Sequence, residues 1–230
     1  MSAPRASRAH RFERQGFDII DGVFDAAELA ALDSRLAGLT AGKAGSRRML
    51  EHAWCRVLAG RLRQHLAAQD ILERDHVAIQ CIYFEKSAEL NWLVPLHQDL
   101  SLPVAERIEH AELAGWSEKE GSLYVQPPAG VLERVVAVRL HVDDCGVDDG
   151  ALAVVPGSHR LGRLDVAGVT AARAHAGEIL CPVPRGGVMA MRPLLLHASS
   201  KAHGQSRRRV LHFVFGPGTL PYGLRWSLQA

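Results

Sequence analysis

The tripeptide His97-Gln98-Asp99 carries two side chains that commonly bind metal ions. Residues two apart on a β-strand point to the same side, so His97 and Asp99 could offer an imidazole and a carboxylate to one ion. A third ligand from a distant strand, His197, would complete a facial triad of two histidines and one carboxylate. Such a triad is typical of mononuclear non-haem iron sites and leaves the other face of the ion open for substrate and dioxygen.

Arg208 lies eleven residues after His197 (208 − 197), in an apolar run that predicts a strand. A guanidinium stays charged at physiological pH, and its planar fork matches a carboxylate. Arg207 and Arg209 flank it, and strand alternation places both on the opposite face from Arg208. The sequence therefore predicts that Arg208, rather than its neighbours, binds an anionic co-substrate beside the metal.

A second His-x-Asp pair, His141 and Asp143, competes with the first on spacing alone. It lies at the end of a predicted strand and runs into Asp144-Cys145-Gly146, a composition typical of turns. Local patterns favour the pair His97 and Asp99, but they leave the other pair open as a ligand set.

Composition excludes several classes of protein. The 230 residues include 27 Lys and Arg against 25 Asp and Glu, and this balance gives no basis for binding nucleic acid or an anionic membrane. No stretch approaches the length of a membrane span, and the four cysteines form no CxxC pair, so neither a thiolate metal site nor a disulfide framework is predicted. We expect a cytoplasmic monomer or homodimer that acts on a small molecule.

The chain divides into a helical first third and a strand-rich remainder. Asp25 to Glu28 forms a capping box before an amphipathic helix, and a second helix is predicted from about Met49 to Ala68. From His76 onward, short runs rich in β-branched residues are separated by turns, which predicts a sandwich or barrel backed by helices. Residues 16–230 are expected to form one domain, preceded by a disordered basic tail at 1–15 without a secretory signal.

The segment Leu100–Glu133 is long and is interrupted by Pro and Gly. Connections of this length in compact domains are usually lids or binding loops. Because the segment directly follows Asp99, we expect it to be an active-site lid, with Trp116 as a candidate substrate contact. The alternative is that Trp116 belongs to a small core of the segment itself.

Four motifs in order resemble the phytanoyl-CoA dioxygenase family of iron(II)- and 2-oxoglutarate-dependent oxygenases, over about residues 16–215. They are Pro95-Leu96-His97-Gln98-Asp99, Asp149-Gly150-Ala151-Leu152, Pro156-Gly157-Ser158-His159, and His197-Ala198-Ser199 followed by Arg208. The resemblance implies a mainly β fold, a double-stranded β-helix (jelly-roll, cupin-like) core with N-terminal helices packed on one sheet. It also implies iron(II), 2-oxoglutarate and dioxygen as cofactor and co-substrates.

The resemblance assigns roles to individual positions of this chain. His97, Asp99 and His197 become the iron ligands, Arg208 the partner of the distal carboxylate of 2-oxoglutarate, and Ser199 a hydroxyl donor to that carboxylate. Gln80 matches a strand glutamine that contacts the co-substrate in related hydroxylases.

Three further positions have competing interpretations. Arg139 stands where some family members have an aromatic residue, and it either faces solvent or, like His141, meets 2-oxoglutarate or an anionic group of the substrate. His159 is expected to fix a corner of the chain rather than to bind iron. Lys86 could reach the mouth of the site, but it is interpreted as a surface lysine.

The chemistry implied is hydroxylation of an unactivated C–H bond of a small metabolite, with 2-oxoglutarate converted to succinate and carbon dioxide. Asp99 matters here, because related halogenases replace this carboxylate with a small residue to admit chloride. Two alternatives remain: a non-redox divalent-metal hydrolase or isomerase on a cupin-type barrel, and a catalytically silent binding protein on the same scaffold.

Overall fold

The computed structural model describes residues 7–37, 45–87, 89–203 and 207–230. The helices are α1 (Arg8–Gln15), α2 (Ala26–Ala37), α3 (Ala53–Ala67), α4 (Ala129–Leu132) and α5 (Val166–Ala176). The strands are β1 (Phe17–Ile20), β2 (Gly45–Ser46), β3 (His76–Lys86), β4 (Val94–His97), β5 (Leu102–Val104), β6 (Ala114–Lys119), β7 (Ser122–Gln126), β8 (Val136–His141), β9 (Leu152–Val154), β10 (Ile179–Cys181), β11 (Val188–Met191), β12 (His197–Ser199) and β13 (Arg208–Pro217). Short 3-10 turns lie at Met49–Glu51, Val147–Asp149 and Ser158–Leu161.

The strands form three sheets in which all neighbours are antiparallel. The largest has the order β1-β11-β8-β13-β3-β2, and a four-stranded sheet has the order β10-β9-β12-β4. Apolar side chains of both sheets pack together in one buried cluster, which includes Met189 from the larger sheet and Val154 from the smaller. This architecture confirms the predicted jelly-roll core with flanking helices.

The two faces of the six-stranded sheet have different partners. On one face, Tyr83, Leu211 and Phe213 pack with the first three helices, as Leu29 and Leu62 do from the helical side. This packing confirms that the N-terminal helices lie on one sheet. Because side chains alternate along a strand, the residues between these apolar positions point to the other face, into the space between the sheets.

The prediction of a disordered tail over 1–15 is wrong for Arg8–Gln15, which form α1; residues 1–6 lie outside the described residues. Phe12 is fully buried in the helix-side core, and Arg8 donates to the carboxylate of Asp18 over 2.9 Å. The 3-10 turn of the Pro-Gly-Ser-His motif also holds this helix, since His159 Nε2 lies 3.1 Å from the carbonyl oxygen of Glu13. Phe12, the one large apolar side chain of α1, is therefore part of the core.

The segment 100–133 is a small sheet rather than an irregular loop. Its strands pair in the order β5-β7-β6, and α4 follows. Val104, Leu113 and Val125 form a cluster of their own within and beside this sheet. A sheet with its own apolar contacts explains how a long insertion with interspersed Pro and Gly can be ordered.

Local sequence signals define the start of α2 as expected. The backbone N–H of Glu28 donates to Asp25 Oδ1 and the N–H of Asp25 donates to Glu28 Oε2, both over 2.9 Å, which is the reciprocal pattern of a capping box. Among the described residues, no helix is both long enough and apolar enough to cross a membrane.

Replacing Phe12 with alanine should lower the free energy of unfolding by about 3–5 kcal/mol, because it removes a fully buried aromatic ring. Urea denaturation of the wild type and the variant measures the difference. His10→Ala, an exposed position on the same helix, should change stability by less than about 0.5 kcal/mol. Equal stability of the two variants would show that α1 is not part of the cooperative fold.

Candidate metal and co-substrate site

His97 and His197 are direct neighbours across the pairing of β4 and β12. Their ring centroids lie 4.3 Å apart. Each ring is held from behind, with Nδ1 of His97 2.8 Å from the carbonyl oxygen of Pro95 and Nδ1 of His197 2.9 Å from that of Leu195. These contacts place the N–H on Nδ1, so the lone pair of each Nε2 is free to bind an ion.

Asp99 brings a carboxylate to the same point, although β4 ends at His97. Its backbone N–H donates to the carbonyl oxygen of Pro193 over 2.9 Å, which fixes the residue where the strand pairing stops. Asp99 Oδ1 lies 3.5 Å from His97 Nε2, and Oδ2 lies 3.6 Å from His197 Nε2. The three ligand atoms are within 4.8 Å of one another, a cluster that could hold a metal ion.

The charge state of the cluster also suits a cation. Burial alone would raise the pKa of Asp99, but the neighbouring imidazoles of His197 and His97 outweigh burial and hold the pKa below its usual range. Burial lowers the pKa of His197, which favours its neutral form. The hydrogen bond to Asp99 raises the pKa of His97. A divalent ion would replace that proton as the partner of the carboxylate, because metal binding displaces protons from its ligands.

Gln98, the residue between the two ligands, orients this turn. Its amide nitrogen donates to the carbonyl oxygens of Gly162 at 2.8 Å and Leu194 at 2.7 Å, and its amide oxygen accepts from the N–H of Leu164 at 2.9 Å. The side chain therefore ties the ligand turn to the segment that leads into β12. The Gln98 side chain points away from those of His97 and Asp99, and its hydrogen bonds help to fix the positions of these two residues.

The competing pair, His141 and Asp143, does not form a ligand set. Asp143 accepts two hydrogen bonds from the side chain of Arg209, at 2.8 and 2.6 Å, on the helix side of the sheet. His141 is buried on the other face, and burial next to Arg139 lowers its pKa well below the usual value. The strand end that separates the two residues explains why equal spacing in sequence gives no cluster in space.

A cavity of about 450 Å³ opens over the cluster of His97, Asp99 and His197. That volume is within the usual range for small-molecule sites. Its walls come from both main sheets and from the three-stranded sheet. The polar and charged lining residues are Arg47, Gln80, Lys86, His97, Gln98, Asp99, Ser101, Lys119, Tyr124, Gln126, Arg139, His197, Ser199, Arg208 and His212.

Arg208 lines this cavity and is buried, as the strand pattern predicted. Its Nη1 donates to the carbonyl oxygen of Gly150, and its Nε has no hydrogen-bond partner among the described residues. Arg209 and Arg207 point elsewhere: Arg209 pairs with Asp143, and Arg207 Nε lies 2.9 Å from Glu85 Oε1. Of the three arginines, Arg208 alone is placed to bind a ligand in the cavity.

Lys86 stands beside Arg208 in the strand pairing and is buried, so its interpretation as a surface lysine is wrong. Its ammonium donates to Ser199 Oγ and to the carbonyl oxygen of Ser200, both over 2.7 Å. The hydroxyl of Ser199 in turn donates to the carbonyl oxygen of Gly150 over 2.8 Å. Burial and the charge of Arg208 lower the pKa of Lys86 to about 8.

Arg139 and Gln80 also face the cavity, so the solvent-facing interpretation of Arg139 is wrong. Nη1 of Arg139 lies 3.3 Å from Nδ1 of His212, and burial followed by the charge of Arg208 lowers its pKa to about 10. Gln80 hydrogen-bonds through its amide nitrogen to the hydroxyl of Tyr124, which belongs to the three-stranded sheet. That contact ties the segment 100–133 to the central sheet.

Two candidate substrate residues are not part of the cavity lining. His141 lies behind it, and neither ring nitrogen has a hydrogen-bond partner among the described residues. Trp116 packs beside the cluster of the three-stranded sheet, with the guanidinium of Arg107 over its ring at 5.4 Å. The alternative interpretation of Trp116, a residue of the small core of its segment, agrees with this position.

Sequence reasoning missed several lining residues, among them Lys119, Tyr124 and His212. For His212 a signal existed, since it lies four residues after Arg208 on one strand and must share its face. No comparable signal marked Lys119 and Tyr124, because they reach the cavity from a separate sheet.

Two histidines and one carboxylate clustered on a jelly roll beside a buried arginine are the arrangement typical of mononuclear non-haem iron enzymes. A model of the phytanoyl-CoA dioxygenase (PhyH) family matches residues 12–210. The chain belongs to this family of iron(II)- and 2-oxoglutarate-dependent enzymes. No curated protein is matched by sequence.

Solved structures support the same fold. The α-ketoglutarate-dependent epimerase SnoN from nogalamycin biosynthesis has a TM-score of 0.69 and 18% identity, over 94% of this chain and 84% of SnoN. EctD from S. alaskensis has a TM-score of 0.70 and 18% identity over 94% and 78%, and AviO1 from Streptomyces viridochromogenes Tue57 has 0.65 and 22% over 93% and 95%. SnoN has been crystallised with Fe3+ and α-ketoglutarate, and EctD with 2-oxoglutarate and 5-hydroxyectoine.

Replacing His97 or His197 with alanine should abolish tight binding of iron(II), because each change removes one of three clustered ligands. Anaerobic titration with iron(II) by calorimetry measures the affinity. His141→Ala is the matched control, since it alters a buried histidine outside the cluster, and it should retain binding. Loss of iron binding in the control alone would show that the wrong histidines have been identified.

Proposed function

We propose that the protein is an iron(II)- and 2-oxoglutarate-dependent dioxygenase that hydroxylates an unactivated C–H bond of a small-molecule metabolite. The observation that carries this proposal is one cavity lined both by a cluster of two imidazoles and a carboxylate and by a buried Arg208, which has no carboxylate partner among the described residues. Two imidazoles and a carboxylate alone could hold a metal ion for many kinds of reaction. The guanidinium beside it suits a co-substrate that has a carboxylate at its far end.

In this proposal His97, Asp99 and His197 hold the iron. The carbonyl oxygens of Pro95 and Leu195 keep the proton of each imidazole on Nδ1 and fix the ring orientation. When bound, iron(II) and 2-oxoglutarate would activate dioxygen, the oxidant: one oxygen atom would enter succinate as 2-oxoglutarate loses carbon dioxide, and the other would enter the hydroxyl group of the product. Asp99 occupies the position whose loss accompanies halogenation in related enzymes, so hydroxylation is favoured.

Arg208 binds the distal carboxylate of 2-oxoglutarate, exchanging its contact with Gly150 for a charge-assisted one. Ser199 turns its hydroxyl from the same carbonyl oxygen toward the carboxylate, while Lys86 adds a second positive charge there. Arg139 and Gln80 line the cavity further along and orient the remainder of the co-substrate. A cavity with several fixed cations binds a dicarboxylate without large rearrangement.

The three-stranded sheet of segment 100–133 forms the cover of the site. It contributes Tyr124, Lys119 and Gln126 to the lining, and Tyr124 is hydrogen-bonded to Gln80. A cover that excludes water protects reactive intermediates and strengthens electrostatic contacts inside. We therefore propose that segment 100–133 is the active-site lid and that Tyr124, rather than Trp116, is its contact to the site.

Two other functions would use the same scaffold differently. A non-redox metal hydrolase or isomerase has no need of a carboxylate clamp, and Arg208 with Lys86 would then be buried charges without a ligand. A binding protein without activity would not need three metal-binding side chains whose ligand atoms converge on one position. Both alternatives predict no conversion of 2-oxoglutarate by the iron-loaded protein.

The direct test incubates the iron(II)-loaded protein with 2-oxoglutarate, dioxygen and a library of small metabolites. Succinate formation reports turnover, and mass spectrometry identifies the product. A substrate mass increase of one oxygen atom supports hydroxylation. An unchanged mass with altered stereochemistry would indicate epimerisation, as named for SnoN, and halogen incorporation would contradict the role of Asp99.

Arg208→Ala should weaken binding of 2-oxoglutarate roughly 30- to several-thousand-fold, since a charge-assisted bidentate contact in a buried pocket contributes about 2–5 kcal/mol. The anaerobic absorption band of the iron complex with 2-oxoglutarate measures the affinity. Arg207→Ala should bind normally. Arg209→Ala should destabilise the fold, because it leaves Asp143 without its bidentate partner, but should bind normally at low temperature. Equal loss in all three variants would contradict a specific clamp.

A further inference from the structure

The charges of the cavity exceed what the cofactors can neutralise. Lys86, Lys119, Arg139 and Arg208 all line it, and among the described residues none of them has a carboxylate within ion-pair distance. Asp99 is the one acidic residue of the lining. Arg47, a fifth cation of the lining, is neutralised by Glu120, whose Oε1 lies 2.8 Å from its Nη1.

Iron(II) and 2-oxoglutarate leave this excess in place. The two charges of the ion and the two carboxylates of the co-substrate cancel, so four cationic side chains still face one carboxylate. Uncompensated charges are costly when they are removed from water, and a partner of opposite charge offsets that cost. A substrate that carries an anionic group would supply the missing charge.

Lys119 is the cation best placed for that group. Lys86 is hydrogen-bonded to Ser199 at the co-substrate end, and Arg139 and Arg208 project from the central strands β8 and β13. Lys119 comes instead from the end of β6 in the three-stranded cover, and its ammonium lies 4.8 Å from the ring centroid of Tyr124. It is half-buried and has no hydrogen-bond or ion-pair partner among the described residues.

The surroundings hold Lys119 in this position. The neighbouring Glu120 accepts both the side chain and the backbone N–H of Arg47, each over 2.8 Å, which anchors the hairpin tip. Tyr124 is anchored through Gln80. An ammonium between two anchored points, stacked on an aromatic ring and open to the cavity, is preorganised for a charged ligand.

We propose that the substrate is a small molecule with a carboxylate or phosphate group, and that Lys119 binds this group at the mouth of the cavity. This inference rests on the proposed function and specifies its substrate class. The carbon to be oxidised would then lie between the anionic group at Lys119 and the metal cluster.

The test uses pairs of compounds that differ in charge: carboxylic acids with their primary amides, and phosphate monoesters with their parent alcohols. Only the charged members should raise succinate formation by the iron-loaded protein above the substrate-free rate, and the two sets distinguish carboxylate from phosphate. Lys119→Gln should raise the KM of an active acid or ester about 10- to 100-fold, the size expected for one charge-assisted hydrogen bond. The affinity of Lys119→Gln for 2-oxoglutarate, from the anaerobic absorption band, should fall far less than that of Arg208→Ala.

Lys201→Gln is the matched control, because this lysine is exposed and outside the cavity lining. Stimulation by the neutral members, or an unchanged KM in Lys119→Gln, would overturn the inference while succinate formation still supports the proposed function. A loss of 2-oxoglutarate affinity in Lys119→Gln as large as that in Arg208→Ala would also overturn it and would assign Lys119 to the co-substrate.

A measurement without turnover separates the two proposals further. With zinc(II) in place of iron and 2-oxoglutarate present, saturation-transfer NMR detects weak binding of acetate, methyl phosphate or acetamide. Binding of acetate or methyl phosphate that is lost in Lys119→Gln, with no binding of acetamide, supports the anion site even if no 2-oxoglutarate is consumed. Equal signals from acetate and acetamide would contradict it.

Discussion

The register of β13 is the constraint on which the site depends. This strand lies between β8 and β3 at the centre of the six-stranded sheet, and its side chains alternate between the helices and the cavity. A shift by one residue would move Arg208 and His212 to the helix side and would bring Phe213 into the cavity. Because both faces are buried, a one-residue shift in either direction carries charge into an apolar core.

Charged contacts on the outer face secure this register. Arg209 pairs with Asp143 at the end of β8 and with Asp33 of α2, and Arg207 pairs with Glu85 of β3. The Arg207-Arg208-Arg209 run therefore serves two purposes, since its outer members fix the strand and the middle one faces the cavity. A basic patch on a surface would show no such division of partners.

Much of the site followed from the sequence because its signals are local. The His-x-Asp spacing and the strand alternation around Arg208 are such signals, and the fold brings His97, Asp99, His197 and Arg208 to one cavity. Asp99 reaches it from beyond the end of β4 rather than from the strand itself. Lys86 was misjudged because a lysine near the end of a strand is usually solvated. Its burial comes from pairing with Arg208 and from contacts with Ser199, which are more than one hundred residues away in sequence.

The remaining differences have the same origin in long-range contacts. Phe12 is the one large apolar residue in a charged segment, and its place in the core depends on the 3-10 turn around His159. In segment 100–133, β5 and β6 both pair with β7, so the sheet becomes evident only when the pairing is known. Local patterns could indicate a long insertion next to Asp99, but they could not indicate that Tyr124 would meet Gln80.

The two histidines of the candidate metal site and the buried cations of the cavity belong to different sheets. His97 and His197 lie on the four-stranded sheet, whereas Arg208, Arg139 and Lys86 lie on the six-stranded one. The hydrogen bond from Lys86 to Ser199 joins β3 of the six-stranded sheet to β12 of the four-stranded one, and the hydrogen bond from Arg208 reaches Gly150, two residues before β9. The two sheets also share the apolar cluster that includes Met189 and Val154. The distance from the cluster of His97, Asp99 and His197 to Arg208 is thus set by how the sheets pack. Because errors of about 1 Å in such distances can cost about 100-fold in rate, we infer that these polar bridges, together with the apolar cluster, keep the two halves of the site in register.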